Sequence, residues 1–335
     1  LLLFLFLSFT WLLCVAADRE SLLWLVGSGI LLGLLASGRG IFLLLIAWAV
    51  IAVLATVRGA ARSRALWQVG AVALGALIGL LPVTLHNVIR GGELVVLTTN
   101  GGINYYVGNH DGATGAYTTI EGIDFFQPGS GQDGGSRALA EQRSGQTMSP
   151  GKASSYWLRQ GLEWNLSHPG RTVALWAKKL LLMVSNYEIP QIENYDWAKD
   201  ESAFLRASLV RWGWLFALGI VGMVTGLRRS RSAAILLLLT SGYVVSLLPF
   251  FVTGRFRVVL APLLAVFAAQ GLVFLWRSLR ARQTRPLAIA ATSFVALAVV
   301  FNLYSPPGIE ASSDMLRDYS RGVTAMQAGN LEEAL

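Results

Sequence analysis

The chain has one cysteine, Cys14, and three histidines in 335 residues. A disulfide framework is therefore excluded, and so is a cysteine-based metal site. His110 and Asp111 are the one pair that suggests a metal. They are adjacent, so they face different directions, and no further ligand spacing accompanies them. No cofactor is expected, and a divalent metal has no support in the pattern. Charge is scarce as well. Only 14% of residues are charged against 54% hydrophobic, where a soluble domain carries about a quarter charged. The mean hydropathy is +0.55. Basic residues outnumber acidic ones by 27 to 19, for a net charge of +8. The excess sits in short linkers between apolar runs, which argues against a nucleic-acid partner. There is also no Walker phosphate loop and no Ser-His-Asp order.

What is present is a series of long apolar runs. Eight fall at about 1–17, 21–38, 41–57, 67–87, 204–227, 232–252, 258–276 and 287–304. Several approach the ~20 residues that cross ~30 Å of hydrocarbon. The expected fold is an all-α polytopic membrane protein. It has about eight transmembrane helices and a mixed outer loop with a short strand and interfacial helices. Four segments follow: four spans in 1–87, a periplasmic loop in 88–203, four spans in 204–304 and a periplasmic tail in 305–335. Three linkers carry the arginines: Arg58, Arg62 and Arg64; Arg228, Arg229 and Arg231; Arg277, Arg280, Arg282 and Arg285. All lie on one side if every run crosses, which assigns that side to the cytoplasm. The large loop and the tail are then outside, in a bacterial cytoplasmic membrane. Leu1–Ala17 lacks the basic start and cleavage site of a signal peptide. The chain is expected to be an internal fragment, with an odd number of spans upstream if the protein starts in the cytoplasm.

The outer loop carries the polar chemistry. Glu93–Thr99 reads as a short strand, and 121–151 as a flexible lid or a disordered stretch. Ser154–Trp164 and Pro169–Ser185 have helical periodicity. Their Trp157, Trp164, Trp176 and Lys178-Lys179 suit helices lying among lipid headgroups. The run Asn100–Gly115 follows the span that exits through Pro82, His86 and Asn87. Glycines at 101, 102, 108 and 112 allow positive φ and close backbone approach, and successive N–H groups in such turns can form an anion nest. Asn100, Asn104, Tyr105 and Asn109 add groups that bind sugars. Arg39 interrupts two apolar runs, as a snorkelling turn residue or a phosphate contact. Arg255 and Arg257 lie on the outer face, against the charge bias, where a lipid phosphate is the natural partner. Tyr319–Leu335, with Gly-Asn-x-Glu-Glu-Ala spacing, resembles the opening of a tetratricopeptide repeat, which implies a protein partner.

The run Pro82…His86-Asn87, Gly91, Thr98-Thr99-Asn100-Gly101-Gly102-x-Asn104-Tyr105-x-x-Gly108-Asn109, Gly112-Ala113-Thr114-Gly115 resembles the outer loop of bacterial multi-spanning glycosyltransferases. These form the protein-O-mannosyltransferase and aminoarabinose-transferase branch of the GT-C superfamily. Gly33…Arg39 and Gly254-Arg255-Phe256-Arg257 with Pro262 are similar to that branch too. The resemblance implies transfer of a sugar from a polyprenyl-phosphate donor to a protein, lipid or glycan acceptor at the outer face. It implies that cationic side chains stabilise the leaving phosphate. It also implies a general base, a carboxylate on an outer loop upstream of Leu1. No catalytic residue is therefore assigned within the chain; Asp111, Glu121 and Asp124 do not match that carboxylate's context. The substrate-binding set is Arg39, His86, Asn87, Asn100, Asn104, Tyr105, Asn109, Arg255 and Arg257. Two rival readings stand beside it: an O-antigen ligase or polymerase, which also has a large outer loop and outward arginines, and a transporter or flippase for lipid-linked sugar.

The charge bias makes a topological prediction. A thiol reagent applied from outside should modify cysteine introduced at Ser130 and not at Ser230; the reverse pattern overturns the orientation.

Overall fold

The computed structural model describes residues 1–56, 62–123, 131–189, 195, 198–199, 202–207, 210–226, 230–306, 309, 321–323, 325–326 and 329. Among these the fold is all-α. Each expected apolar run is a helix. The first four are α1 (Leu2–Arg19), α2 (Leu22–Gly38), α3 (Phe42–Thr56) and α4 (Arg62–Gly91). The stretch between the two bundles, expected to be the outer region, contributes α5 (Gly101–Val107), α6 (Gly131–Ser144), α7 (Pro150–Ser167), α8 (Pro169–Val184) and the single turn α9 (Ala203–Arg206). The second bundle is α10 (Trp212–Gly226), α11 (Arg231–Leu247), the turn α12 (Gly254–Arg257), α13 (Ala261–Arg280) and α14 (Thr284–Leu303). A 3-10 turn at Val258–Leu260 joins α12 to α13.

The expectation of eight spans is corrected. Among the described residues, four helices are long and apolar enough to cross a membrane: Leu2–Arg19, Ser63–Gly91, Gly254–Arg280 and Thr284–Leu303. The described parts of the other four, α2, α3, α10 and α11, have 15 to 17 residues. At ~1.5 Å per residue they reach roughly 23–26 Å, short of the ~30 Å core. The described residues thus carry apolar helices of two lengths. Arg39 shows how a short one ends: its backbone is extended (φ −151°, ψ 117°), and its N–H closes the last turn on the Leu35 carbonyl.

Packing follows from small residues. Gly29 and Gly33 of α2 face Gly75 and Gly79 of α4 so closely that a Cβ on Gly75 would overlap the Val26 carbonyl oxygen and meet the Gly29 Cα at 2.9 Å. The two backbones touch, as small-xxx-small crossings do in membranes. Gly222 of α10 does the same against Phe267 of α13. An aromatic cluster then joins the two halves of the chain. Phe6 of α1, Phe42 of α3 and Tyr243 of α11 lie with ring centroids 5.6–6.2 Å apart. At the opposite end, Glu20 accepts from Arg64 and Arg231, each at 3.2 Å.

The outer region has its own core, where Ile103, Val107, Ile123, Leu139, Trp157 and Phe251 cluster. Trp157, expected in a headgroup layer, is buried there and donates Nε1–H to the Ser136 carbonyl at 2.9 Å. Three further expectations change. Glu93–Thr99 is not a strand, because side chains from α4 take its carbonyls. Asn87 donates to Val95 and Leu97 (2.8 and 3.0 Å), and Thr84 donates to Val96 (2.8 Å). The expected lid contains helix α6 at 131–144, while 124–130 lies outside the described residues. The expected glycine nest is a helix instead. Gly101, Gly102, Gly108 and Gly112 keep negative φ, and only Gly115 (φ 92°) in this run is left-handed. The glycines serve close approach: a Cβ on Gly102 would overlap the Ser154 backbone of α7, and one on Gly108 the Phe250 backbone. The proposed repeat at 319–335 falls mostly outside the described residues.

The α2–α4 crossing predicts that Gly75→Ala costs about 1–3 kcal/mol by overpacking. Gly70→Ala, on the same helix with open space around it, should be neutral or stabilising by up to about 1 kcal/mol. Thermal unfolding in detergent distinguishes them.

Candidate functional site

The turn between α2 and α3 meets the 96–104 segment and the 247–256 segment around a cavity of about 370 Å³. Its walls are apolar: Leu43, Leu44, Leu97, Leu247, Phe250 and Phe256 among them. Arg39 and Asn104 supply most of its polarity, with Thr98. Leu43 and Leu44 are also exposed on the outside of the helical bundle. The site therefore opens beside surface that a bilayer would cover.

Arg39 is half-buried. Its guanidinium carbon lies 4.9 Å from the centre of the Phe256 ring, and Nη1 reaches the Arg255 carbonyl only at 3.5 Å. Arg255 stands 5.7 Å from the same ring and is exposed. Among the described residues neither arginine pairs with a carboxylate. Burial lowers the Arg39 pKa, and the nearby Arg255 charge acts in the same direction. Guanidinium remains protonated regardless. Two cations thus share one ring without an anion between them. Tyr243 holds that ring in place by donating its hydroxyl to the Phe256 carbonyl at 3.0 Å.

Arg257 is corrected. It does not join Arg255 at the surface but points inward, only 2% exposed. Nη1 donates to the Leu182 and Ser185 carbonyls at 3.2 and 2.6 Å; Nη2 donates to the Tyr187 carbonyl at 2.8 Å and to Glu188 Oε2 at 3.1 Å. Carbonyls at and just beyond the C-terminus of α8, with the Glu188 carboxylate, take four of its five N–H donors and hold both Nη groups away from the cavity. The one-turn helix α12 explains the split, since residues two apart on a helix face opposite ways.

The polar loop divides likewise. Asn104 lines the cavity. Tyr105 packs edge-on against Phe250, and its hydroxyl accepts from Asn165 Nδ2 at 2.7 Å. Burial raises the Tyr105 pKa. Asn109 is fully buried, donating to the Tyr105 and Pro249 carbonyls at 2.7 and 2.6 Å. Tyr105 and Asn109 are thus structural. Asn100 precedes α5, its N–H bonded to Thr98 Oγ1 at 3.2 Å. His86 and Asn87 line an adjoining cleft of about 430 Å³ with Arg90, Glu93 and Thr99; Leu97 and Thr98 belong to both.

Sequence reasoning missed the aromatic walls and Lys179. Lys179 is fully buried and donates to the Gly108 and Leu248 carbonyls at 2.8 and 2.9 Å. No sequence signal separates it from Lys178. Among the acids, exposed Asp111 accepts from Trp164 Nε1 at 3.0 Å and Arg171 Nη1 at 2.9 Å, which lowers its pKa. Asp124 lies outside the described residues. His110 stacks on Tyr106 and accepts the Gly112 N–H at Nδ1, and burial lowers its pKa. Among the described residues no three His, Cys, Asp or Glu side chains gather as metal ligands.

The two arginines should separate in a stability assay. Arg257→Ala strands buried carbonyls and Glu188 and is expected to cost about 3–5 kcal/mol. Arg255→Ala should stay within about 0.5 kcal/mol of the parent. Equal melting shifts overturn the division. Compared with family profiles, curated proteins and solved structures, the chain shows no match.

Proposed function

We propose that the chain is part of a membrane glycosyltransferase that takes a sugar from a polyprenyl-phosphate donor at the periplasmic face. One observation carries the reading: an apolar cavity beside apolar exposed surface holds Arg39, next to Arg255, and among the described residues neither meets a carboxylate. An amphiphile with an apolar tail and a phosphate fits both halves of that chemistry. The tail gains about 25 cal/mol per Å² of apolar surface removed from water. The phosphate accepts charge-assisted hydrogen bonds from guanidinium, in bidentate form where geometry allows.

Chemically, transfer breaks the bond between the sugar C1 and the phosphate oxygen. It forms a bond from C1 to an acceptor oxygen or nitrogen. Arg39 and Arg255 would stabilise the charge that the leaving phosphate gains. A base would take the acceptor's proton, and the family resemblance implies a carboxylate upstream of Leu1 for it. The adjoining cleft with His86, Arg90, Glu93 and Thr99 is polar enough for the hydroxyl groups of a sugar. An acceptor protein, lipid or glycan would approach from the same face.

Farnesyl phosphate serves as a probe for the chain in nanodiscs. Arg39→Ala should weaken its binding by tenfold or more, with Arg39→Lys intermediate, and farnesol should bind both forms equally. Unchanged farnesyl phosphate affinity in Arg39→Ala removes the cavity as the phosphate site.

A further inference from the structure

Two of the segments that wall the Arg39 cavity are far apart in the chain. Gly101 and Asn104 come from α5, and Leu247, Phe250 and Phe251 come from the α11–α12 connection. They are held together just behind the wall. Asn109 Nδ2 reaches the Pro249 carbonyl at 2.6 Å, and the Val252 N–H donates to the Gly115 carbonyl at 2.9 Å. Between them stands Lys179 of α8, whose Nζ donates to Gly108 at 2.8 Å and Leu248 at 2.9 Å. Its side chain is wholly buried. Among the described residues it has two carbonyl acceptors and no carboxylate. Two acceptors suit a neutral amine, which has two N–H groups. An ammonium has three, and its third would be buried without a partner.

We infer that Lys179 is a positioning residue that clamps the two walls of the Arg39 cavity together as a neutral amine, so that the walls close as it gives up a proton and loosen as it gains one. Charging the amine in place buries an uncompensated ammonium. The low-cost answer is to part the two segments and let water reach Nζ. Burial alone lowers the Lys179 pKa from the ordinary 10.5 to about 7.

The other charged groups on neighbouring elements do not reproduce this behaviour. On α8 they are Lys178 and Arg171, the first with a pKa also lowered by burial. On the 108–116 loop they are His110 and Asp111, both lowered from values already below the window. On α5 they are Tyr105 and Tyr106, the first raised. Arg257 and Glu188 bind each other at the far end of α8. The 247–253 segment has no titratable side chain. Lys178 is thus the competitor that a control must remove.

The direction of the pH effect follows from linkage. An opened, solvated Lys179 keeps its proton up to about 10.5, whereas the closed form loses it at about 7. Between those values the open form holds a proton that the closed form lacks. Closure therefore strengthens with rising pH, by up to about tenfold per unit. Below about 7 both forms are protonated and the slope vanishes.

Hydrogen exchange by mass spectrometry, on the full chain in nanodiscs, tests this through peptides covering 101–109 and 248–256. After correction for intrinsic exchange, protection should be flat from pH 5.5 to about 7 and rise up to tenfold per unit towards pH 9.5. Lys178→Met should retain the slope. Lys179→Gln, neutral but with two N–H donors, should keep high protection at every pH without the slope. Lys179→Met should be poorly protected throughout. If Lys179→Met fails to fold, the Gln variant carries the test. A flat profile in the parent chain overturns the inference, and so does a slope that survives in Lys179→Gln.

Discussion

A backbone that leaves its helix beside a bilayer must find a donor for every carbonyl it frees. Water is scarce there, and each unmet group costs several kcal/mol. The region around the cavity meets that demand with two buried basic side chains. Arg257 takes the carbonyls where α8 ends, with a bond to Glu188. Lys179, on the same helix, takes the Gly108 and Leu248 carbonyls. Asn109 and Asn87 do equivalent work with uncharged amides. Without these donors the irregular segments around the cavity would have no reason to hold one arrangement.

That constraint separates arginines by role. Arg257 satisfies the fold. Arg39 and Arg255 share the Phe256 ring and meet no carboxylate among the described residues. A cation–π contact contributes about 0.5–2 kcal/mol. It orients a guanidinium without consuming its hydrogen-bond donors, so the ring leaves both cations available to an anion. Tyr243 links this arrangement to the aromatic cluster with Phe6 and Phe42, so the site rests on contacts from both halves of the chain.

Glycine has a different job from the one its placement suggests. A polar run with glycines at 101, 102, 108 and 112 reads as a flexible, anion-cradling turn. In the structure these residues adopt ordinary negative φ, and at Gly102 and Gly108 the gain lies in the missing side chain. Gly102 admits the α7 backbone, and Gly108 admits Phe250. The α2–α4 crossing uses the same device inside the bundle. Close approach raises dispersion contact where the hydrophobic effect gives little preference between helix and lipid.

The sequence alone determined that the chain is helical, apolar and membrane-directed. Runs of aliphatic residues with few charges leave the backbone one economical solution in hydrocarbon, the helix. It also marked the region near Arg39, Asn104 and Arg255 as chemically unusual, because cations and amides between apolar runs have a local signature. It did not determine helix length to within a few residues, so eight runs became four long and four short helices. Nor did it distinguish Arg255 from Arg257, or Lys178 from Lys179. Those pairs are identical in type and nearly so in position. Only the tertiary structure decided which member met buried carbonyls and which did not, because a partner 70 residues away leaves no mark on the local sequence.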